Sequence, residues 1–443
     1  MTNIIYYKSP AFLKNILVTT KAVFLIRNKY GTIFNEFYNS LLLDQNKSTK
    51  LSDESLYLFL KLVKSTSKYY HDLNDIRDYP TINKKIIKDN YNKIFINPYY
   101  KLHYTSGSTG QPLIIPYSKE AYQKEYAFWW YHRSFGGIKQ GDRIATIAGH
   151  KVINIKQKKP PYWVYNNKEN QILFSSYHLS NYNIKYYIEE LNKSKPLLIH
   201  GYPSSIYLLA LYIINNNILL NFQPKMIVAS SETLLDQQRK IIEKAFKTKV
   251  YIWYGNTEQC GHITECEYGK LHIQPRHSYV RILDEKNQDV KEGGRGRFVA
   301  TNFLNKCFPL INYDSNDYVT LSSKQTCQCK RPGKIIEKID GRIEDYIITP
   351  EKNLIGRLDH LFKHSENVIH AQIEQNNINE IIIHINKNEK YSNKEEKLIL
   401  DEARERLGKS ILINFDYKTP IVKDDNSKFR FIKQNINIKE ILK

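Results

Sequence analysis

The chain has few cysteines, five in 443 residues, and it lacks long apolar runs. Residues 1–10 show no basic stretch before an apolar core and no small-residue cleavage site, which argues against a secretory signal. The apolar segment at residues 15–26 is interrupted by Lys21 and is too short to cross a bilayer. We therefore expect a cytoplasmic protein with no transmembrane segment. In a reducing compartment, the close pair Cys327 and Cys329 favours metal binding over a disulfide.

Acidic residues are also scarce: 45 of them stand against 66 lysines and arginines, so the formal net charge is +21. Such a charge is typical of nucleic-acid binders, but the lysines are spread along the chain and no RNA- or DNA-binding signature is present. We therefore predict no nucleic-acid partner. A diffuse positive field instead favours an anionic small molecule such as ATP, or an acidic surface.

The most informative stretch, Tyr104–Pro112, contains four hydroxyl residues and two glycines. Hydroxyls can bond phosphate oxygens, and glycine lets backbone N–H groups approach a polyanion closely. No lysine follows the second glycine, so this is not the phosphate loop of ordinary NTPases. Taken alone, the stretch is equally typical of a surface turn.

The middle of the chain alternates apolar strands with amphipathic helices. Strands are predicted at residues 142–149, 197–200, 225–230 and 249–254, with helices at 204–215 and 236–246. This order implies parallel pairing with right-handed crossovers, and ligands bind such sheets at the carboxyl ends of the strands. Ser230–Glu232 and Tyr254–Glu258 both lie at such ends.

After residue 293 the pattern changes to short β segments. Beyond Gly341, two alternating strands, a helix at 393–407 and a strand at 411–417 form a small α+β unit. We predict an α/β protein with a large N-terminal domain, residues 1–343, of mixed or parallel sheets flanked by helices. It includes a β-rich subdomain at about residues 259–340, and a small mobile C-terminal domain, residues 344–443, follows it.

Five segments occur in one order along the chain: Tyr104–Pro112, Tyr254–Glu258, Tyr313–Asp317, Gly341–Asp345 and Ser427–Arg430. Together they resemble the core motifs of adenylate-forming enzymes, the acyl-CoA synthetase and adenylation-domain superfamily. The resemblance is strongest to the phenylacetate–CoA ligase-like branch, which includes homologues associated with capsular polysaccharide synthesis. It implies an ATP- and Mg²⁺-dependent ligase that forms an acyl-adenylate, releases pyrophosphate and passes the acyl group to CoA.

The resemblance also assigns roles to single residues. Glu258 would bind Mg²⁺, Asp317 the ribose hydroxyls, and Arg342 the ribose or a phosphate. Lys428 would neutralise charge on the departing pyrophosphate, and Glu344 occupies the hinge position between the domains. The residues expected to hold the β- and γ-phosphates are Thr105 (also counted as catalytic), Ser106, Gly107, Ser108, Thr109 and Gly110. Those expected to border adenine and the α-phosphate are Ser231, Glu232, Tyr254, Gly255, Asn256 and Thr257.

Two further sites are predicted less directly. The acyl pocket is assigned to aromatic neighbours that suit a flat carboxylate, although such a cluster is also typical of a core; its candidates are Trp129, Trp130, Tyr131, His200, Gly201, Tyr202, Pro203 and Ser204. Three thiols and one imidazole suit a structural tetrahedral Zn²⁺, and these ligands are Cys266, His272, Cys327 and Cys329. Cys260 or His262 is an alternative to His272, and buried free cysteines are the alternative to a metal site.

The sequence departs from the family pattern at three places: Ser427 replaces the usual glycine before the lysine, residues 314–316 lack the usual Arg/Gly content, and residues 349–353 replace a glycine-containing segment. These departures affect the identity of the acyl acceptor more than the expected use of ATP. Besides CoA, an amine of a sugar or amino acid is left open as acceptor. A non-catalytic nucleotide-binding protein of polysaccharide assembly is a third interpretation, and a homodimer is one of the oligomeric states left open.

Overall fold

The computed structural model describes residues 6–43, 50–71, 75–96, 98–105, 113–180, 182–232, 234, 236–341, 347–355, 358–362, 365, 367–419, 421, 431–436 and 441. These residues form a twelve-stranded mixed sheet, a four-stranded C-terminal sheet and two short hairpins. The helices are Ala11–Lys29 (α1), Thr32–Leu43 (α2), Lys50–Thr66 (α3), Lys84–Asp89 (α4), Tyr91–Ile94 (α5), Lys119–Ser134 (α6), Ile184–Ser194 (α7), Pro203–Asn215 (α8), Asp236–Phe246 (α9) and Asn393–Leu407 (α10).

The strands outside the C-terminal sheet fall into the large sheet and two hairpins. The two hairpins pair Lys101–Tyr104 (β1) with Ile114–Tyr117 (β2), and Ile347–Ile348 (β15) with Leu354–Ile355 (β16). The strands of the large sheet are Ile144–Ala148 (β3), Trp163–Asn166 (β4), Gln171–Ser175 (β5), Leu198–Gly201 (β6), Met226–Ser230 (β7), Val250–Gly255 (β8), His262–Glu265 (β9), Leu271–Ile273 (β10), Ser278–Leu283 (β11), Arg295–Asn302 (β12), Tyr313–Leu321 (β13) and Ile335–Gly341 (β14).

The strands of the large sheet lie in the spatial order β11-β12-β13-β14-β10-β9-β8-β7-β6-β3-β5-β4. From β8 through β7, β6 and β3 to β5, neighbours are parallel, whereas β4 and the strands from β9 onward pair antiparallel. The predicted α/β class with a mixed sheet flanked by helices is confirmed.

Alternate residues of the parallel strands face opposite sides of the sheet, and both sides are covered. Ile144, Leu198 and Val228 pack with the aromatic side chains of α2 and α6. Ile147 and Ile199, on the other face, join the core formed with α7, α8 and α9. Because the strands are buried on both faces, they read as continuous apolar runs, as expected of a parallel sheet.

The antiparallel part of the sheet has its own core. Phe298 of β12, Tyr313 of β13 and Ile263 of β9 are fully or almost fully buried there, together with Phe59 and Val63 of α3. This core lies directly beside the end of β8, so it fixes the residues that follow that strand. The antiparallel strands therefore form one wall of the region where the predicted site lies.

The C-terminal sheet has the order β19-β18-β17-β20, formed by Val368–Asn377 (β17), Glu380–Lys387 (β18), Leu412–Asp416 (β19) and Ile432–Gln434 (β20). Its core, which includes Phe362 and Ile399, is separate from those of the large sheet. Helix α10 of this unit meets the large sheet through Lys151, whose Nζ lies 2.9 Å from Glu402 and 2.6 Å from Glu405. The predicted boundary at residues 343 and 344 lies outside the described residues and stays a prediction.

Several predicted elements match the structure closely, because their end signals are strong. The sequence predicts a helix capped by Ser118 and running to Phe135, and α6 begins after Ser118, whose side chain accepts a hydrogen bond from Ala121 N–H. Helix α10 has its predicted bounds and begins at a capping box of Ser392 and Glu395. Strands β9 to β11 and the β1–β2 hairpin are not predicted from the sequence. In the part of the chain that the structure describes, no helix is long and apolar enough to span a membrane.

Candidate active site

A cleft of about 990 Å³ opens at the carboxyl ends of the parallel strands. Its walls come from the ends of β3, β6, β7 and β8, from the start of α6 and from strand β13. Ligands bind parallel sheets at this edge because the loops that follow the strands converge there. Of the predicted site residues, those lining the cleft are Thr105, His200, Tyr202, Ser231, Glu232, Tyr254, Gly255, Asn256, Thr257, Glu258 and Asp317.

Glu258, three residues beyond β8, is 4 % exposed and lines the cleft. Tyr313 donates a 2.6 Å hydrogen bond to its Oε1, and Lys84 Nζ lies 3.7 Å from the same oxygen. Its other oxygen, Oε2, accepts no hydrogen bond from the described part of the chain. A carboxylate oxygen left available in a polar cleft fits Mg²⁺, which binds through one or two carboxylates plus substrate phosphates.

Asp317 reaches the cleft from β13, across the sheet from β8. Tyr254 OH donates a 2.7 Å hydrogen bond to Asp317 Oδ2. The pairing of β12 with β13 is irregular between Arg297, which faces Tyr318, and Val299, which faces Asp314, so Asp317 lies within the bulge of β13. Bulges of this kind re-aim side chains next to sites, and here one accompanies the acidic side chain at the cleft.

The end of β7 is strained. Ser231 has a φ of 68°, in the left-handed region that a residue with a side chain seldom adopts. Such outliers concentrate at functional sites. Beside it, Glu232 Oε2 accepts a 3.2 Å hydrogen bond from Ser204 N in the first turn of α8, and His200 Nε2 lies 2.9 Å from Ser230 Oγ. Strands β6 and β7 are thus linked to each other at the floor of the cleft.

Two residues of the Tyr254–Glu258 segment have local structural roles. Asn256 bonds Cys260 in both directions: its Oδ1 accepts from Cys260 N at 2.8 Å and its Nδ2 donates to Cys260 O at 2.6 Å. The backbone oxygen of Thr257 accepts a hydrogen bond from Tyr117 of β2. These bonds hold the turn after β8 against the β1–β2 hairpin, so Glu258 is presented to the cleft by a fixed backbone.

Thr105 is buried, and it closes the end of the β1–β2 hairpin. Its backbone N–H donates to Leu113 O at 3.0 Å, and its Oγ1 accepts from Leu113 N at 3.0 Å. The hydroxyl is therefore already engaged on its acceptor side, within the wall of the cleft. The other predicted phosphate-binding residues lie outside the described part of the chain, and so do two predicted basic residues: Ser106, Gly107, Ser108, Thr109, Gly110, Arg342 and Lys428.

The predicted acyl-pocket residues lie in two different surroundings in the structure. Trp130 and Tyr131 do not line the cleft; they pack into the core between α2, α6 and the sheet, where they are 5 % and 4 % exposed. Trp129, the candidate one residue earlier on α6, does line the cleft. Gly201 does not line it either: a Cβ there would lie 2.2 Å from the backbone oxygen of Ile147, so this glycine permits close strand contact. Helical periodicity explains the first difference, since adjacent residues point about 100° apart.

Several cleft residues are not predicted from the sequence. Lys84 and Glu125 belong to helices with no recognisable motif, and His103 stacks on Tyr117 with ring centroids 4.1 Å apart. Burial lowers the pKa of His103 to about 4, so its imidazole is neutral near pH 7. Glu125 accepts a 3.1 Å hydrogen bond from Gln259 and lies 3.1 Å from His277. Only the tertiary fold brings these side chains to the cleft.

A second group of side chains lies apart from the residues that line the cleft. The ligand atoms of Cys266, His272, Cys327 and Cys329 all lie within 4.8 Å of one another. Cys266 follows β9, His272 is in β10, and the other two precede β14. The alternatives Cys260 and His262 lie elsewhere, Cys260 in the antiparallel core and His262 against Trp253 at 4.0 Å. The donor set and its spacing fit a tetrahedral Zn²⁺.

Comparison with known proteins agrees with this architecture. Residues 347–435 match the family model of the CapK C-terminal domain. The chain is 30 % identical over 455 residues to protein CapK of Staphylococcus aureus, and the match covers 98 % of this chain and 100 % of CapK. The crystal structure of 2-hydroxyisobutyryl-CoA ligase with 2-HIB-AMP and CoA, in the thioesterification state, has a TM-score of 0.50 at 14 % identity, covering 99 % of this chain and 93 % of that one. An open conformation of the same enzyme has a TM-score of 0.49 at 16 % identity, with 86 % and 90 % covered.

The fold is therefore that of the adenylate-forming CoA ligases, as the order of the sequence motifs predicts. Within that class, the chain belongs to the family of the Staphylococcus aureus protein CapK. The capsule-associated branch named by the sequence resemblance agrees with this family.

Proposed function

We propose that the protein is an ATP- and Mg²⁺-dependent ligase that joins a carboxylate to AMP, releases pyrophosphate and then transfers the acyl group to a nucleophile. The observation that carries the proposal is the meeting of Glu258, Asp317 and Thr105 in one cleft at the ends of parallel strands. These residues lie up to 212 positions apart in the sequence. Three polar side chains so far apart in the sequence are not expected to meet in one cleft unless they share a role there.

In this proposal the nucleotide lies along the ends of β7 and β8. Asp317, oriented by Tyr254, binds the ribose hydroxyls, and Glu258 binds Mg²⁺ through its available Oε2. Bound Mg²⁺ would neutralise charge on the phosphates. Lys84, 3.7 Å from Glu258, adds a second positive charge on the same side. Positive charges held by the protein, on Lys84 and on Mg²⁺ at Glu258, would thus face the negative charge of the triphosphate.

We propose the CoA thiol as the acceptor of the acyl group. The support is the likeness of fold to 2-hydroxyisobutyryl-CoA ligase, which was crystallised with 2-HIB-AMP and CoA. The C-terminal unit, whose family model spans residues 347–435, would present Lys428 during adenylate formation and move for transfer. An amine acceptor is the alternative, and it is distinguished by the product: a thioester reacts with hydroxylamine, whereas an amide does not.

The test is carboxylate-dependent exchange of labelled pyrophosphate into ATP, screened over aryl, aliphatic, amino and sugar acids. We expect exchange with at least one acid class, and a loss of about 100-fold or more in Lys428→Ala, because the group is proposed to stabilise the transition state. Lys423→Ala, in the same segment, is the matched control and keeps its activity. ATP binding without exchange for every acid class would contradict the ligase and favour a non-catalytic nucleotide-binding protein.

We further propose that Cys266, His272, Cys327 and Cys329 hold a structural Zn²⁺. Four protein ligands leave no open position, so the ion would link loops and take no part in the chemistry. The link would join the β9–β10 hairpin to the loop before β14. Both elements belong to the antiparallel wall beside Glu258.

A further inference from the structure

Arg133, in the last turn of α6, is a buried cation at the inner end of the cleft. It is 8 % exposed, and its guanidinium lies over the rings of Trp129 and Trp130, at 5.2 and 4.8 Å from their centroids. It borders a chamber of about 10 Å³ that is formed with Trp129, His132, His200, Val228 and Trp253. A space of this size admits one water-sized group. Trp129, His200 and Trp253 also line the large cleft, so the chamber and the cleft share these three side chains as a common wall.

The charge of Arg133 has no partner of opposite sign within the described residues: its guanidinium makes no ion pair and no hydrogen bond there. Glu169 is the carboxylate that acts on it electrostatically, and Glu169 is already occupied. Lys29 Nζ lies 2.8 Å from Glu169 Oε1, Tyr30 OH donates to the same oxygen at 3.1 Å, and Asn166 donates to Oε2 at 2.9 Å. A buried guanidinium is costly unless an anion pairs with it.

The other polar groups around the chamber are neutral. Burial, together with the charge of Arg133, lowers the pKa of His200 to about 3, and burial likewise lowers the pKa of His132 to about 3. One ring nitrogen of each histidine is engaged: His200 Nε2 lies 2.9 Å from Ser230 Oγ, and His132 Nε2 lies 3.2 Å from the backbone oxygen of Glu265. The other nitrogen of His132, Nδ1, is buried and has no hydrogen-bond partner among the described residues. One permanent positive charge between neutral imidazoles and indole rings favours an anion carried on a flat or slender group.

We infer that Arg133 selects the acid substrate, and that the acids which this site activates carry a second anionic group at the end remote from the reacting carboxylate. This inference rests on the proposed function. The activated carboxylate would lie near the strand end at Gly255, while the second anion places one oxygen in the chamber beside Trp253. Trp253 precedes Gly255 by two residues, about 7 Å at a strand rise of about 3.3 Å per residue. The substrate class is therefore a short or aromatic dicarboxylate.

The test compares acids that differ only in the second charge: glutarate against monomethyl glutarate, and 4-carboxyphenylacetate against its 4-methyl ester. In pyrophosphate exchange we expect the wild-type kcat/KM for one or both diacids to exceed that of the matched ester by about 30-fold or more, since removing one partner of a buried charge pair has effects of this size or larger. Arg133→Met removes this preference by lowering the diacid value, while the ester value stays within about threefold. Arg133→Lys keeps part of the preference because the charge remains.

Arg143→Met is the control, since Arg143 is exposed and lies outside the cleft, and it leaves the preference unchanged. A wild-type enzyme that exchanges with monocarboxylates but has no preference for diacids would overturn the inference and leave the ligase proposal intact. Equal losses for diacid and ester in a folded Arg133→Met protein would also overturn it, because they indicate a structural role. Exchange with no acid at all counts against the ligase itself. Thermal melting establishes folding, and if Arg133→Met does not fold, the wild-type comparison and Arg133→Lys decide.

Discussion

Replacing Cys327 and Cys329 together by serine is expected to release one zinc ion per chain and to destabilise the protein. Zn–S bonds of about 2.3 Å at tetrahedral angles place two sulfurs about 3.8 Å apart, and a sulfur and a nitrogen about 3.5 Å apart. The structure has Cys266 Sγ 3.7 Å from Cys327 Sγ, and Cys329 Sγ 3.3 Å from His272 Nε2. The four side chains are thus already spaced for one ion.

The expected size follows from mass action. At free zinc a thousandfold above its dissociation constant, binding stabilises the folded state by about 4.1 kcal/mol. This stabilisation disappears in the double variant and shows as a fall of several degrees in Tm. Elemental analysis after dialysis measures the zinc, and thermal unfolding with and without added zinc measures the stability.

Cys307→Ser is the matched control for this experiment. Cys307 is more buried than Cys327 and Cys329 and lies outside the cluster, and its sulfur donates to Pro116 O at 3.3 Å, a bond that a serine hydroxyl can also make. We expect this variant to keep its zinc. The zinc site is refuted if wild-type protein purified from zinc-supplemented cells contains no zinc and its Tm does not change when zinc is added. The cluster would then be three free thiols and a histidine in contact.

Three further predictions concern the cleft. Asp317→Asn is expected to raise the KM for ATP about 10- to 100-fold with little change in kcat, because bonds to a charged acceptor contribute about 1.5–3 kcal/mol; an unchanged KM in exchange assays would contradict the ribose role. Glu258→Gln is expected to raise the Mg²⁺ concentration needed for half-maximal exchange, measured by titration, and an unaltered curve would place Mg²⁺ elsewhere. The pKa of His200 is lowered to about 3 in the folded state, whereas an unfolded histidine has a pKa of about 6.5. The contribution of His200 to the free energy of unfolding is therefore fully present above about pH 6.5 and is lost as the pH falls toward 3; at pH 5 the loss is about 2 kcal/mol. Denaturant unfolding should show this pH slope reduced in His200→Gln and kept in the exposed-site control His71→Gln.

The fold is predictable from the sequence where local signals are strong. Helix α9, Asp236–Phe246, has the predicted bounds, because its apolar positions repeat at helical spacing. Strands β6 and β7 are predicted correctly from the sequence because both of their faces are buried, so each appears as a short apolar run with polar residues or turns at its ends. Strand β9, His262–Glu265, is missed since its fully buried residues include a histidine, a threonine and a glutamate, which no apolar pattern reveals.

The site is predictable only in part. Motifs locate Glu258, which follows β8, and Asp317, which lies within β13, but their partners depend on contacts across the sheet. Tyr313 lies 55 residues from Glu258, and Tyr254 lies 63 residues from Asp317. Arg133 gave no sequence signal, since it follows an aromatic cluster that is equally typical of a core. That no carboxylate among the described residues pairs with it is a property of the folded chain and is not visible in the sequence.

Lys151 has a consequence for experiments that is independent of the substrate. Its two ion pairs with Glu402 and Glu405 join helix α10 to the large sheet, and all three side chains are partly exposed. Turning the C-terminal unit away from the large sheet breaks both pairs at once, and attraction between partly exposed charges weakens as ionic strength rises. Given the proposed movement of the C-terminal unit, we predict that a higher buffer salt concentration makes the two units separate more often. Rates measured in dilute and in concentrated salt will report on different mixtures of conformations of the same protein.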